Sequence, residues 1–197
     1  MVIKHLVVCG GAALGLAIYG AIKECCQQKL IQIKNLESIH ATSIGSVIAV
    51  MICLGYDWNV LDDYLLKRPW DKAFLEENDC VGQALSGGIC CESVCSCILE
   101  KLLQGRNIDS NITLSEFEKL FNIKLNFVTV DISLGPALEP IILSSCNYPD
   151  IPLLKALAMS CAIPGIFRPV FWKNLVCFDG GLQCNYPIRE LFQKFVY

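Results

Sequence analysis

His40-Ala41-Thr42-Ser43-Ile44-Gly45-Ser46 is the stretch on which the reading of the chain turns. Leu36 to Ala41 has the length and apolar character of a strand. Beyond it, Val47, Ile48, Val50, Met51 and Leu54 mark a strongly apolar helix, which Gly55 ends. A strand that passes through one serine into a helix is the setting of a nucleophile elbow, commonly written G-x-S-x-G. The turn is so sharp that strand and helix nearly touch, so the positions two before and two after the serine must be small. Here they are Ala41 and Gly45. Such a turn exposes the Ser43 hydroxyl and aims a helix N-terminus at it, where positive potential favours a developing oxyanion. The same residues also suit a plain helix N-cap by Thr42 or Ser43.

Upstream, Val2 to Cys9 is apolar apart from Lys4 and His5, as a strand buried on both faces would be. Gly10-Gly11-Ala12-Ala13-Leu14-Gly15 follows as a glycine-rich turn, and Leu16, Tyr19 and Ile22 then recur at helical spacing. The uncharged run from Leu6 to Ile22 has the look of a signal peptide or short membrane span. Four interrupting glycines and the lack of a cleavage site favour a buried strand, turn and helix instead. The glycine turn has two readings. As a dinucleotide fingerprint it has Ala12 where close approach needs glycine, and no clean acid ends the second strand. As an oxyanion hole, its small residues let successive backbone N–H groups point into one site beside the elbow.

Downstream, Leu61 to Leu66 and Ser93 to Leu103 read as helices, with a loop marked by Ser86, Gly87 and Gly88 between them. Thr113 followed by Glu116 opens a short helix to Phe121 with a capping box. Leu125 to Ile132 is strand-like, Gly135-Pro136 is a turn, and Pro140 to Leu143 returns as a partner strand. Leu153 to Cys161 is a helix, Val170 to Phe178 holds one or two strands, and Asp179-Gly180-Gly181 is a sharp turn. Repeated strand, turn and helix points to a three-layer α/β/α sandwich with a mostly parallel central sheet. We expect one domain over residues 4–190, with 57–125 helical.

Composition narrows the function. With 197 residues, 54% hydrophobic and 18% charged, the chain has ample material for a core. A net charge of −3 and scattered Lys and Arg give neither a nucleic-acid-binding stripe nor a polybasic membrane patch. Thirteen cysteines are an odd number, so they cannot all pair within one chain. We expect reduced, buried thiols in a cytoplasmic protein. Cys90, Cys91, Cys95 and Cys97 lack the paired spacing of a structural zinc site and suit a core or helix face. Both histidines, His5 and His40, precede Ser43, which disfavours a Ser-His-Asp triad in the usual hydrolase order. A serine nucleophile here needs a carboxylate or a lysine as its base. Asp179, between an apolar strand and two glycines, is either a turn former or a carboxylate at a strand end, where open α/β sheets place their sites.

Taken together, the early glycine loop, the serine elbow about thirty residues later and the late Asp-Gly-Gly resemble the patatin-like phospholipase family in type and order. Ser160-Cys161-Ala162-Ile163-Pro164 with Phe167, Arg168 and Pro169, then Asn185-Tyr186-Pro187, and Val130-Asp131-Ile132 with Gly135, are similar to further family segments. The resemblance spans roughly Lys4 to Glu190. Leu14 stands where the family usually has Arg or Lys, and Ala41 where the elbow usually has Gly. The resemblance implies a Ser-Asp dyad, with Ser43 attacking a lipid ester and Asp179 as base. It implies backbone N–H groups of Gly10, Gly11 and Ala12 as the oxyanion hole, with Gly15, Ala41, Gly45, Gly180 and Gly181 as supporting positions. No metal or cofactor is expected. The implied partners are a phospholipid or other lipid ester and, transiently, a membrane or lipid surface; Trp58, Trp70, Phe167, Phe171 and Trp172 are candidate contacts. Two other readings stay open: a lipid-binding member of the fold without turnover, and a dinucleotide-binding oxidoreductase.

Overall fold

The computed structural model describes residues 2–73, 88–133, 135 and 138–192. Ser86, Gly87 and Pro136, read above as loop and turn markers, lie outside the described residues. The first half runs β1 (His5–Val8), α1 (Gly15–Gln27), β2 (Ser38–Thr42), α2 (Ile44–Cys53), α3 (Trp58–Lys67), α4 (Cys91–Gln104) and α5 (Leu114–Phe121). The second runs β3 (Lys124–Asp131), β4 (Glu139–Ser144), α6 (Leu153–Cys161), β5 (Val170–Trp172), β6 (Leu175–Asp179) and α7 (Ile188–Phe192). The expected α/β order is met, and the helix over Leu153–Cys161 matches end to end. The capping box of α5 forms as expected: Thr113 accepts from the Glu116 N–H, and Glu116 accepts from the Thr113 N–H.

The sheet is ordered β1-β2-β3-β6-β5, and β4 also pairs with β3. Strands β1, β2 and β3 are mutually parallel and carry the early motifs. Strands β4 and β6 join β3 antiparallel, and β5 joins β6 in the same sense. Register explains how two distant sequence segments meet. β4 lies along Asn126–Asp131 of β3, filling one edge. β2 pairs with Lys124–Val128 and β6 with Thr129–Asp131, so both must use the other edge. β2 runs up that edge and stops with Thr42 opposite Val128. β6 runs down it and stops with Asp179 opposite Thr129. Two strands therefore aim their C-terminal ends at each other across one peptide step of β3.

All five residues of β2 are buried, although a strand turns alternate side chains to opposite faces. Both faces are therefore covered at the sheet centre. Helices α2 and α6 pack on the strands and on each other, and α4 packs against both helices. Helix α2 is buried at every position from Gly45 to Cys53, as the near-continuous apolar sequence requires. Helix α7 touches β2, and the Thr42 hydroxyl donates to the Cys184 carbonyl at 2.9 Å.

The abutment of β2 and β6 leaves no room beside Val128. A Cβ on Gly180 would lie 2.3 Å from the Val128 carbonyl oxygen, whereas one on Gly20, on the open side of α1, would meet nothing within 4 Å. Gly180→Ala is expected to lower stability by about 1–3 kcal/mol through backbone displacement. Gly20→Ala is expected to raise it by about 0.5–1 kcal/mol through helix propensity. Urea denaturation of both variants checks this; equal midpoints would contradict the crowding at Val128.

Candidate active site

Ser43 sits where β2 ends and α2 begins, with φ 54° and ψ −133°. A non-glycine residue held there stores roughly 1–3 kcal/mol of backbone strain, which the surroundings must over-determine. They do so from three sides. The Ser43 N–H donates to the Ser160 hydroxyl at 3.0 Å, and the Ser43 carbonyl accepts the Ser46 N–H at 2.8 Å. Gly45 brings the first turn of α2 against β1: an added Cβ would lie 2.5 Å from the Cys9 carbonyl oxygen. Ala41 lies in the ladder between Val8 and Phe127 and is fully buried, so the methyl that departs from the usual glycine fits within the sheet. Gly15 lets the start of α1 cross α2, since a Cβ there would be 2.5 Å from Ile44 Cγ1.

The Ser43 hydroxyl donates to Asp179 Oδ2 at 2.5 Å across 136 residues of sequence. The other carboxylate oxygen, Oδ1, accepts the Gly181 N–H at 2.7 Å, and the Asp179 N–H donates to the Ala162 carbonyl at 2.9 Å. Gly181 lets its backbone come this near: a Cβ there would be 2.9 Å from Asp179 Oδ1. Ser43 and Asp179 are 6% and 5% exposed, so the pair is almost fully withdrawn from water. Burial pushes the Asp179 carboxyl above its ordinary value, against the lowering effect of the hydrogen bonds from Ser43 and Gly181. A carboxylate with raised proton affinity, already bonded to a hydroxyl, is equipped to accept that proton.

Ser160, from α6, ties the pieces together. Its hydroxyl donates to the Val128 carbonyl at 2.6 Å, accepts from Ser43 N–H and lies 3.1 Å from the Ser46 hydroxyl. A hydroxyl has one proton, so Ser46 must be the donor in the last contact. Asn185 plays the same part for the glycine loop. Its carbonyl accepts the Gly10 N–H at 3.0 Å, and its side-chain amide donates to the Gly10 carbonyl at 3.3 Å. Sequence reasoning named the segments of Ser160 and Asn185 but gave neither residue a role at the site. A hydroxyl inside the apolar helix α6 was the available signal for Ser160.

The Gly10 contact corrects one expectation. Its N–H is taken by the Asn185 carbonyl and cannot also serve an oxyanion, so Gly10 leaves the expected donor set of Gly10, Gly11 and Ala12. It is a spacing residue, whose Cβ would lie 3.0 Å from Ser43 Cβ and 2.4 Å from Asn185 Oδ1. Among the described residues nothing accepts the Gly11 or Ala12 N–H, and Ala12 adopts φ 43° as the loop turns into its 3-10 helix. Leu14 is 67% exposed. Neither histidine is drawn to the elbow: His5 pairs with Ser38, and His40 lies beside Asn126. Cys91, Cys95 and Cys97 are buried as expected, but Cys90 is half-buried, and of the twelve described cysteines only five are buried, fewer than expected, with Cys146 exposed; a hydrogen bond to Cys95, then burial, pushes the Cys91 thiol far up. Of the aromatic contact candidates, Phe171 is exposed on β5, while Trp58, Trp70, Phe167 and Trp172 are half-buried.

The family model described as Patatin-like phospholipase matches residues 6–192. The chain is 28% identical over 201 residues to an uncharacterised protein of Acanthamoeba polyphaga mimivirus, covering 94% of this chain and 60% of that protein. It is 29% identical over 192 residues to a "probable lipid hydrolase" of Invertebrate iridescent virus 6, covering 94% of this chain and 62% of that protein. The chain thus spans about three fifths of the length of these relatives. Among solved structures, VipD from Legionella pneumophila is similar in fold, with a TM-score of 0.62 at 17% identity, covering 91% of this chain and 46% of that one. The ExoU–SpcU complex from Pseudomonas aeruginosa gives 0.50 at 16% identity, covering 84% and 37%.

Two stability measurements follow from the polar network. Ser160→Ala strips partners from a buried N–H, a buried carbonyl and a hydroxyl, and is expected to cost about 1–3 kcal/mol in urea denaturation. Asp179→Asn can still accept from Gly181 and donate to Ser43, and it carries no charge to bury. Because the folded carboxyl binds its proton more tightly than the unfolded one, the wild-type chain loses stability as pH rises from the ordinary Asp range through the raised value. The variant is therefore expected to melt at or above the wild-type temperature at pH 7, with the gap closing toward the ordinary Asp range on acidification. A variant that melts well below wild type at pH 7 would contradict this.

Proposed function

The chain belongs to the patatin-like phospholipase family, and on that premise we propose that it is a lipid acyl hydrolase that cleaves fatty-acyl esters through Ser43 and Asp179. One observation carries the reading: the 2.5 Å hydrogen bond from the Ser43 hydroxyl to Asp179 Oδ2. Ser43 Oγ attacks the ester carbonyl carbon while its proton passes to Asp179. The carbonyl oxygen becomes an oxyanion and is held by the Gly11 and Ala12 N–H groups, beside the N-terminus of α2. When the intermediate collapses, the alcohol portion of the lipid leaves with the proton from Asp179, and the acyl group stays on Ser43. Water then attacks the acyl-enzyme, giving one proton to Asp179. The second collapse returns that proton to Ser43 and frees the fatty acid.

The supporting residues divide by task in this scheme. Gly181 N–H orients the carboxylate so that Oδ2 faces the nucleophile. Ser160 holds the Ser43 peptide, and Asn185 holds the Gly10 peptide, leaving the next two N–H groups for the carbonyl oxygen of the substrate. The raised proton affinity of Asp179 helps proton acceptance, which a carboxylate of ordinary acidity does poorly from an alcohol. The substrate is a phospholipid or a related lipid ester. The similarity to a viral protein described as a lipid hydrolase supports that class.

Release of fatty acid from a panel of phospholipids and neutral esters tests the reading. Wild type is expected to hydrolyse at least one of them and to be labelled by a fluorophosphonate probe. Ser43→Ala is expected to lose both, and Asp179→Asn to lose turnover, each by roughly 10³-fold or more while remaining folded. Near-normal turnover in the Asp179 variant would place the base elsewhere. Since Asp179 must be ionised to accept a proton, kcat/KM is expected to fall on acidification with a midpoint above the ordinary Asp value. A midpoint at or below that value would remove Asp179 as the base.

A further inference from the structure

We propose that Lys124 and Cys146 form an oxidative cross-link, in which the lysine nitrogen and the cysteine sulfur are joined through one oxygen atom. Lys124 begins β3, about 13 Å along the strand from Val128 beside the Ser43–Asp179 pair, so the inference does not depend on hydrolysis. The antiparallel register of β3 and β4 runs from Asp131 opposite Glu139 to Asn126 opposite Ser144. Two more steps of the same count set Lys124 opposite Cys146, just past the end of β4. Directly opposed residues share one face of a ladder. The backbone on both sides is already fixed. The Ser144 carbonyl accepts the Tyr148 N–H at 2.8 Å and the Asn147 N–H at 3.2 Å, and the Ser145 hydroxyl donates to Glu118. The Lys124 N–H donates to the Glu37 carbonyl at 3.0 Å.

The separation of the two side-chain atoms decides what can join them. Lys124 Nζ lies 2.6 Å from Cys146 Sγ. Sulfur is larger than oxygen, and elsewhere in the molecule its hydrogen bonds are long. Arg68 reaches Cys97 Sγ at 3.8 Å, and Cys97 Sγ reaches the Ala73 carbonyl at 3.7 Å. Lys173 reaches a carboxylate oxygen of Asp150 at 2.6 Å, but the same approach to sulfur falls inside its contact surface. It is also too long for a direct N–S bond. It is the span of two single bonds bent at a shared oxygen. Access suits the chemistry, since Cys146 is exposed, alone among the described cysteines, and a dissolved oxidant can reach it. Among the described residues no carboxylate pairs with Lys124 to draw its nitrogen away from the thiol.

Hydrogen peroxide is the oxidant, and two equivalents suffice. The first oxidises the thiol to a sulfenic acid and is reduced to water. The second condenses with that acid, expelling water and leaving S–O–OH. The lysine amine then attacks the sulfur-bound oxygen. The O–O bond breaks, and the outer oxygen departs as water with one N–H proton. Thiol, amine and two peroxides thus become N–O–S and three waters, and the electrons lost by sulfur and nitrogen are those gained by the peroxides.

Treatment of the folded, reduced 197-residue protein with hydrogen peroxide, followed by intact mass and protease mapping, tests this. The expected product gains one oxygen and loses two hydrogens. It joins the segments that carry Lys124 and Cys146, and dithiothreitol returns it to the starting mass. Cross-linked protein is expected to melt above its reduced form, because the closed loop restricts the unfolded chain. Lys124→Arg, which keeps the charge, and Cys146→Ser are each expected to abolish the product. Oxidation of Cys146 that leaves Lys124 unmodified would overturn the proposal. So would a cross-link that lacks the oxygen, one that resists dithiothreitol, or one that forms equally in concentrated urea, where no ladder sets the register.

Discussion

Everything at the site depends on β2 and β6 sharing one edge of β3 and stopping head to head. Parallel pairing carries Thr42 up to Val128, and antiparallel pairing carries Asp179 down to Thr129. No side-chain search is then needed to bring a serine and a carboxylate together. The backbone ladder does it, and the 2.5 Å bond between them is the outcome. A one-residue slip in either strand would turn the side chains to the opposite face and break the pair. The buried β-sheet thus sets the spacing of the pair, and the glycines at positions 45 and 180 mark where that spacing leaves no thickness for a side chain.

The cost of that arrangement is a cluster of polar groups out of water. Buried hydroxyls and a buried carboxylate are unfavourable unless each is bonded. Here the bonds form a chain: Ser46 to Ser160, Ser160 to Val128, Ser43 N–H to Ser160, Ser43 to Asp179, and Gly181 to Asp179. The same groups that satisfy one another also hold Ser43 in its strained conformation. Stability and the geometry of the Ser43–Asp179 pair are therefore coupled through α6. It contributes Ser160, and the Ala162 carbonyl just past its end anchors Asp179.

Much of this was legible in the amino-acid order. The elements whose apolar residues repeat regularly were read correctly: β2 and α2 around Ser43, α6 over its whole length, and α5 from its capping residues. The three motifs of the site were visible because turn chemistry is local, with Ser43, Asp179 and the glycine loop each lying at a strand end. What could not be read was relational. The antiparallel direction of β6 follows from the pairing partner, which sequence periodicity does not name. The engagement of Gly10 by Asn185 depends on two backbone groups far apart in the chain, and backbone groups carry no signature in residue type. The role of Ser160 was hidden for a similar reason, since a serine in an apolar helix signals only that some partner exists. The half-burial of Trp58, Trp70, Phe167 and Trp172 likewise reflects packing across elements.

The double hold of Asn185 on Gly10 joins positions 175 residues apart. During synthesis the amino-terminal loop emerges early, while its clasp is still untranslated. Strands β1, β2 and β3 can pair before then, since none of their ladder bonds needs the late segment. The loop beside Ser43 is thus the piece left open until the carboxy-terminal stretch arrives, and Asp179 comes with that same stretch. Until Asp179 is made, the growing chain holds the β1-β2-β3 half of the sheet and a Ser43 hydroxyl without its acceptor.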